Sequence, residues 1–157
     1  MQFKLSSTLY VAATALSLTF LALPNADACT RFVYLGADNQ VITARSMDWK
    51  SDVETNLWVF PKGMQRQGMA GQNSITWTSK YGSVIASGYD ISTTDGMNEK
   101  GLVANVLWLV ESEYPKYDGK SPGLAISAWA QYVLDNYATV DEAVKALHKT
   151  AFTLVTE

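Results

Sequence analysis

A change of hydrophobic period along the chain constrains its fold more than any other feature. From Thr30 to Val110 apolar residues come in short β-branched and aromatic runs separated by turn formers, and from Ile126 onward they recur at helical spacing. Strands followed by helices fit an α+β fold. "TRFVYL" (30–35) and "VITARSMDW" (41–49), joined by the turn residues "GADNQ" (36–40), read as an antiparallel hairpin. "NLWVFPK" (56–62) is a strand stopped by Pro61, and "ITWTSKYGSVIAS" (75–87) splits into two short strands near Gly82. Between them "GMQRQGMAGQNS" (63–74) reads as a Gly-rich loop, "DGMNEKG" (95–101) as a turn and "LVANVLWLV" (102–110) as a buried strand. Ile126, Trp129, Ala130, Val133, Leu134 and Tyr137 make one face of a helix, and Thr139 with Glu142 is a capping box that opens a second. Trp58, Trp77 and Trp129 are expected in the core, and "FTLVTE" (152–157) starts another strand.

The length of 157 residues and the 48% hydrophobic content suit one globular domain at most. A formal charge of −3 and the lack of a basic stripe argue against a nucleic-acid partner. The start of the chain has another character. Lys4 precedes an apolar run from Leu9 to Leu23, which ends at Pro24 ahead of Ala26-Asp27-Ala28. This is the pattern of a secretory signal peptide, and the run falls short of the roughly 20 residues that span a bilayer. The expected organisation is a signal peptide over 1–28 and a mature segment over 29–157, in the periplasm or outside the cell, with no membrane association after processing.

Cleavage after Ala28 would make Cys29, the only cysteine, the mature N-terminus. A lone thiol in an exported chain forms no internal disulfide, which leaves lipid attachment, an inert thiol or catalysis. The position of a lipoprotein's usual leucine, three before the cysteine, holds Ala26 here. An N-terminal cysteine carries both a nucleophile and a base: a thiol titrates near about 8.5 and an α-amine near about 7.7–8.0, so the amine can take the thiol proton close to neutrality. A guanidinium would favour thiolate, and a carboxylate would orient the amine. The hairpin brings Arg45 and Asp48 toward Cys29. Strict alternation would put them on opposite faces, so a bend or strand end at Met47–Asp48 is needed for both to reach the thiol.

"CTRFVYL" behind a cleavage site, followed by "ARSMDW" and "DGMNEKGL", closely resembles the choloylglycine hydrolase family, the N-terminal-nucleophile amidases that include penicillin V acylases and bile salt hydrolases. The similarity runs from Cys29 to the end and is strongest toward the penicillin V acylases of Gram-negative bacteria. It implies a four-layer αββα sandwich. It also implies hydrolysis of a linear non-peptide amide through a thioester, with Cys29 as nucleophile, its amine as proton shuttle, and Arg45 and Asp48 in catalytic contact with it. Trp108 falls where the family supplies a backbone N–H to the oxyanion, and Trp49 and Trp108 are expected to pack on the acyl group. No cofactor is implied; the partner is a small-molecule amide, and a homo-oligomer, a tetramer, is expected for the full-length family member. An acyl-homoserine lactone acylase relative and a lipoprotein are the alternatives.

In the family an oxyanion-hole asparagine and a second catalytic arginine follow at positions beyond 157. Together with a strand beginning at the last residues, this reads as a chain truncated on its C-terminal side. Other motifs carry less. "YDGKS" (117–121) lacks the glycine of a phosphate-binding loop, "DISTTDGMNEKG" misses the offsets of a calcium loop, and one histidine, His148, with one cysteine provides too few of the usual ligands for zinc.

Overall fold

The computed structural model describes residues 29–156, so the signal-peptide reading falls outside the described residues. In chain order the strands are β1 (Arg31–Leu35), β2 (Val41–Arg45), β3 (Leu57–Phe60), β4 (Gln65–Gln67), β5 (Thr76–Thr78), β6 (Ser83–Gly88), β7 (Ser92–Asn98), β8 (Val103–Asn105) and β9 (Gly123–Ala125). Helices α1 (Ile126–Asn136) and α2 (Val140–Leu147) follow, then β10 (Thr153–Val155). The α+β expectation holds.

The hairpin of β1 and β2 pairs antiparallel from Arg31 opposite Arg45 to Leu35 opposite Val41. Its turn works because Asp38 and Asn39 accept the left-handed backbone, at φ 55° and 61°. The central sheet is antiparallel in the order β3-β6-β7-β8. β4 and β5 form a separate ribbon, and β10 pairs parallel with β9, so the strand expected at the end of the chain is present.

Helix α1 crosses one face of β7. The approach is close enough that a side chain on Gly96 would sit 2.7 Å from both Leu134 Cδ1 and Ile85 Cγ2, which is why glycine occupies the strand there. Leu134 and Ile85 are buried at this contact, and Leu124 of β9 is also fully buried. The outer face of the sheet is apolar and open among the described residues, with Leu57, Val59, Val84 and Met97 exposed.

The helix face is more polar than its spacing predicts. Gln131 and Asp135 are buried beside Ala128 and Leu134, whereas Trp129 and Val133 are half-buried. The two polar residues are tolerated only because they are bonded. Gln131 accepts from the Thr93 hydroxyl at 2.8 Å and donates to Ser83 Oγ at 3.2 Å and Asp135 Oδ1 at 2.7 Å. Asp135, with no solvent exposure, also accepts the Trp77 indole N–H at 2.8 Å and pairs with Arg66 Nε at 3.4 Å. Asn98 closes the other end: its amide donates to the carbonyls of Leu134 and Tyr137, both at 2.8 Å, which satisfies groups that the end of α1 leaves free. Its Oδ1 accepts the N–H of Lys100 and of Leu102, shaping the β7–β8 turn.

Several expectations need correction. "DGMNEKG" is mostly strand: β7 runs through Asn98, and only Glu99–Gly101 turn. "LVANVLWLV" pairs only over Val103–Asn105, after which Leu107–Val110 leave the sheet as an exposed segment. The Gly-rich loop contains β4, which finds its partner in β5. Trp58 is not core. It sits on the edge strand β3, exposed, with its indole N–H donated to Asp90 at 3.0 Å. The capping box forms as expected, with Thr139 Oγ1 accepting the Glu142 N–H at 3.2 Å, while Glu142 reaches back to the Ala138 N–H at 2.8 Å.

Asp135→Ala leaves the mostly buried Arg66 guanidinium without its counter-charge, and the loss expected in urea denaturation is about 3–5 kcal/mol. Burial pushes the Asp135 carboxyl above the ordinary carboxylate range, against the opposing pull of Trp77, Gln131 and Arg66. A folded value above the unfolded one means that this group stabilises most in acid and loses that contribution as pH rises through the raised value. The stability gap between the native chain and Asp135→Asn should therefore narrow as pH rises above the ordinary carboxylate range; a gap that widens would refute the upward shift.

Candidate active site

The hairpin brings its two far ends together at the thiol. Ladder pairing stops at Arg45, and the next contacts come from Ser46, whose N–H donates to Thr30 O at 2.9 Å and whose Oγ accepts the Thr30 N–H at 3.2 Å. With the ladder ended, Asp48 is free of strict alternation. Its carbonyl lies 3.8 Å from Cys29 Sγ, within reach of a weak S–H donation, and its Oδ2 accepts the Ser46 hydroxyl at 3.0 Å. The strand end that the sequence requires is therefore present, and it is the Asp48 backbone that contacts the sulfur.

Arg45 is placed differently. Its guanidinium is largely buried and turned to the sheet: Nε pairs with Asp95 Oδ1 at 3.0 Å, Nη2 donates to the Val106 carbonyl, and Nη1 lies 3.0 Å from Met47 Sδ. Asp95 also accepts from the Asn105 amide at 2.8 Å. Alternation along β7 explains the geometry, since Gly96 faces α1 and Asp95 faces the hairpin. The sequence places Arg45 beside Cys29 through the register, and the structure engages its charged end with Asp95. Asp95 was not legible as a site residue because its segment reads as a turn; an acidic residue amid a threonine-rich strand was the available signal.

Cys29 is half-buried and reduced, at the wall of a cavity of about 590 Å³. The other walls are mostly apolar and come from distant segments: Met47 and Trp49 after β2, Tyr89 from the β6–β7 turn, Val106 to Val110 after β8, and Ile126 at the start of α1. Trp49 and Trp108 meet edge to face, with ring centroids 5.6 Å apart and planes at 67°. Both expected acyl-contacting tryptophans thus share one cavity with the thiol. Among the described residues nothing accepts the Trp108 backbone N–H, which leaves it available as a donor. Among the described residues no cluster of three His, Cys, Asp or Glu side chains could hold a metal ion, and no helix is long and apolar enough to cross a membrane.

A thiol and an edge-to-face pair of indoles lining one mostly apolar cavity have the chemistry to attack a carbonyl whose acyl group is flat and apolar. Comparisons with known proteins show the family. The family model of the linear amide C–N hydrolases, choloylglycine hydrolase family, matches residues 29–157. A penicillin V acylase of Pectobacterium atrosepticum is 64% identical over 154 residues, covering 91% of this chain and 41% of that protein. The structure of a penicillin V acylase from Agrobacterium tumefaciens superposes with a TM-score of 0.78 at 77% identity, over 80% of this chain and 40% of the other. The fold also matches that of a mutant conjugated bile acid hydrolase from Clostridium perfringens, with a TM-score of 0.60 at 23% identity, over 83% of this chain and 40% of the other. The chain spans about two fifths of the length of these relatives. With its match beginning at the cysteine that heads the hairpin and extending through every cavity wall, the chain belongs to the choloylglycine hydrolase family of linear amide C–N hydrolases.

Proposed function

We propose that this protein hydrolyses the side-chain amide of penicillin V or a closely similar amide with an aromatic acyl group, using Cys29 as an N-terminal nucleophile exposed by removal of residues 1–28 during export. The observation that carries the reading is the shared cavity of Cys29 with the Trp49–Trp108 pair. Phenoxyacetyl is flat and apolar, and edge-to-face indoles offer it stacking area beyond simple burial. The high identity to two penicillin V acylases supports this substrate over conjugated bile salts.

In the proposed reaction the α-amine of Cys29 takes the thiol proton as sulfur attacks the amide carbonyl. The C–S bond forms and the carbonyl oxygen becomes an oxyanion, toward which the Trp108 backbone N–H donates. Collapse breaks the C–N bond, and the proton held on the α-amine passes to the leaving amine, which departs as 6-aminopenicillanic acid. Water then adds to the thioester, losing a proton to the same amine, and phenoxyacetic acid leaves as the thiol is restored. Asp48 caps the strand end beside Cys29 through its carbonyl and its bond from Ser46, and in this reading its carboxylate turns to orient the amine when substrate binds. Arg45, anchored by Asp95, holds the hairpin against the cavity wall at Val106. The enzyme acts in the periplasm or outside the cell on a small-molecule amide, and assembly as a homo-oligomer belongs to the same reading.

Intact mass of the processed protein before and after thiol alkylation, with penicillin V hydrolysis assayed on the same samples, tests this. The expected result is an N-terminus at Cys29, one alkyl group added and hydrolysis abolished. A diacylglycerol mass on Cys29, a different N-terminus or full activity after alkylation would overturn the mechanism. Cys29→Ser should lower turnover by about 1000-fold or more. Arg45→Met removes the partner of Asp95, and a loss of about 1.5–3 kcal/mol in urea denaturation is expected together with slower turnover.

A further inference from the structure

The turn between β6 and β7 carries a residue poorly suited to its backbone. The Ile91 N–H donates to the Gly88 carbonyl at 3.1 Å, and the two central residues, Tyr89 and Asp90, have φ of 54° and 51°. Positive φ at both positions defines a type I′ turn, where Asn-Gly fits without strain. A tyrosine in the left-handed region is a steric outlier, and such outliers persist where surrounding contacts hold them and cluster at functional sites. Burial does not explain this one, because Tyr89 is 46% exposed.

Its polar contacts do. The Tyr89 hydroxyl accepts the Trp49 indole N–H at 3.2 Å and bonds the Ser51 hydroxyl at 2.9 Å, and its backbone N–H donates to the Val53 carbonyl at 2.7 Å. The segment 49–53 is thus fastened to the turn at three points. Trp49 has no strand of its own to fix it, since the β2 ladder ends at Arg45. Its other aromatic partner, Trp108, stands on the exposed segment after β8. All three rings line the cavity that holds Cys29.

We propose that Tyr89 is a specificity-determining positioning residue: its hydroxyl holds the Trp49 indole and thereby fixes the orientation of the wall that the touching Trp49 and Trp108 rings present to an aromatic acyl group. This rests on the amidase reading above. Without the latch, Trp49 turns about its side-chain bonds, and a flat acyl group loses the fixed wall it stacks on. A short acyl group, which does not reach both indoles, loses less.

The test is carried out on the full, processed protein with Tyr89→Phe, which keeps the ring and removes the latch, and with Ser51→Ala, an exposed change that loosens the same hydroxyl. Kinetics with penicillin V and with the acetyl amide of the same amine are compared, and phenoxyacetate binding is measured by calorimetry. For Tyr89→Phe the expected result is a rise in KM for penicillin V of about 5–10-fold relative to the acetyl substrate, the loss of one good hydrogen bond, with kcat changing less than KM. Phenoxyacetate affinity should fall by a similar factor, and Ser51→Ala should shift both in the same direction by less. An unchanged selectivity ratio with unchanged phenoxyacetate affinity in Tyr89→Phe would overturn the proposal. If the native protein binds phenoxyacetate without hydrolysing penicillin V, and Tyr89→Phe weakens that binding, the latch stands and the amidase reading fails. If the native protein neither hydrolyses nor binds, both fail.

Discussion

The ion pair between Arg45 and Asp95 is the joint on which the site depends. The hairpin that begins next to Cys29 exposes much of both its strands, with Phe32, Tyr34, Leu35 and Val41 all open among the described residues, so its own packing holds it weakly. What ties it to the sheet near the thiol is one largely buried guanidinium that bonds Asp95 on β7 and the Val106 carbonyl beyond β8. A guanidinium suits this position because it spreads several donors in a plane and stays charged when desolvated. The bonds it makes lock together the two chain segments whose tryptophans meet at the cavity, one leading from β2 to Trp49 and the other from β8 to Trp108.

β7 is the strand that makes this possible, because its two faces do different work. Toward α1 it presents Thr93, Gly96 and Asn98: Gly96 admits Leu134, and Thr93 and Asn98 bond Gln131 and the end of the helix. Toward the hairpin it presents Asp95. A buried hydrogen-bond network rigidifies its surroundings, and Thr93 and Asn98 on either side of Asp95 are tied to α1 by it. The helix layer therefore contributes to the site without touching it: Asp135, Trp77 and Arg66 brace α1, α1 braces β7, and β7 orients the arginine. Most of the network's bonds join residues more than thirty positions apart in the chain, from Ser83 to Gln131 and from Trp77 to Asp135.

How much was legible follows from whether the deciding interactions were local. The hairpin, its register and the capping box at Thr139 were readable because turn chemistry and near-neighbour bonds fix them. Helix α1 was readable from its spacing, but its buried face was not, since Gln131 and Asp135 become good core residues only when Thr93, Ser83 and Trp77 arrive from other strands. β4 was invisible as a strand because three polar residues in a Gly-rich stretch pair only when β5 is alongside. "DGMNEKG" looked like a turn because its composition is that of turns, yet a neighbouring strand on each side keeps most of it extended. Trp58 looked like core because size and apolarity favour burial, and the sheet order put it on an edge instead.

The sequence by itself determined the α+β class, the hairpin that carries Cys29 and the family to which the chain belongs, because motif spacing and short-range patterning express those directly. It also named the thiol and the two tryptophans that share its cavity. Only the tertiary structure decided how they meet: that the Asp48 carbonyl, not its carboxylate, touches the sulfur, that Arg45 turns to Asp95, and that Tyr89 fastens Trp49. Each of those contacts depends on where a side chain points once distant strands have stacked. Local propensity fixes a residue's place along its strand, and the direction of its polar end is set by whichever partner the packed fold brings within a hydrogen bond of it.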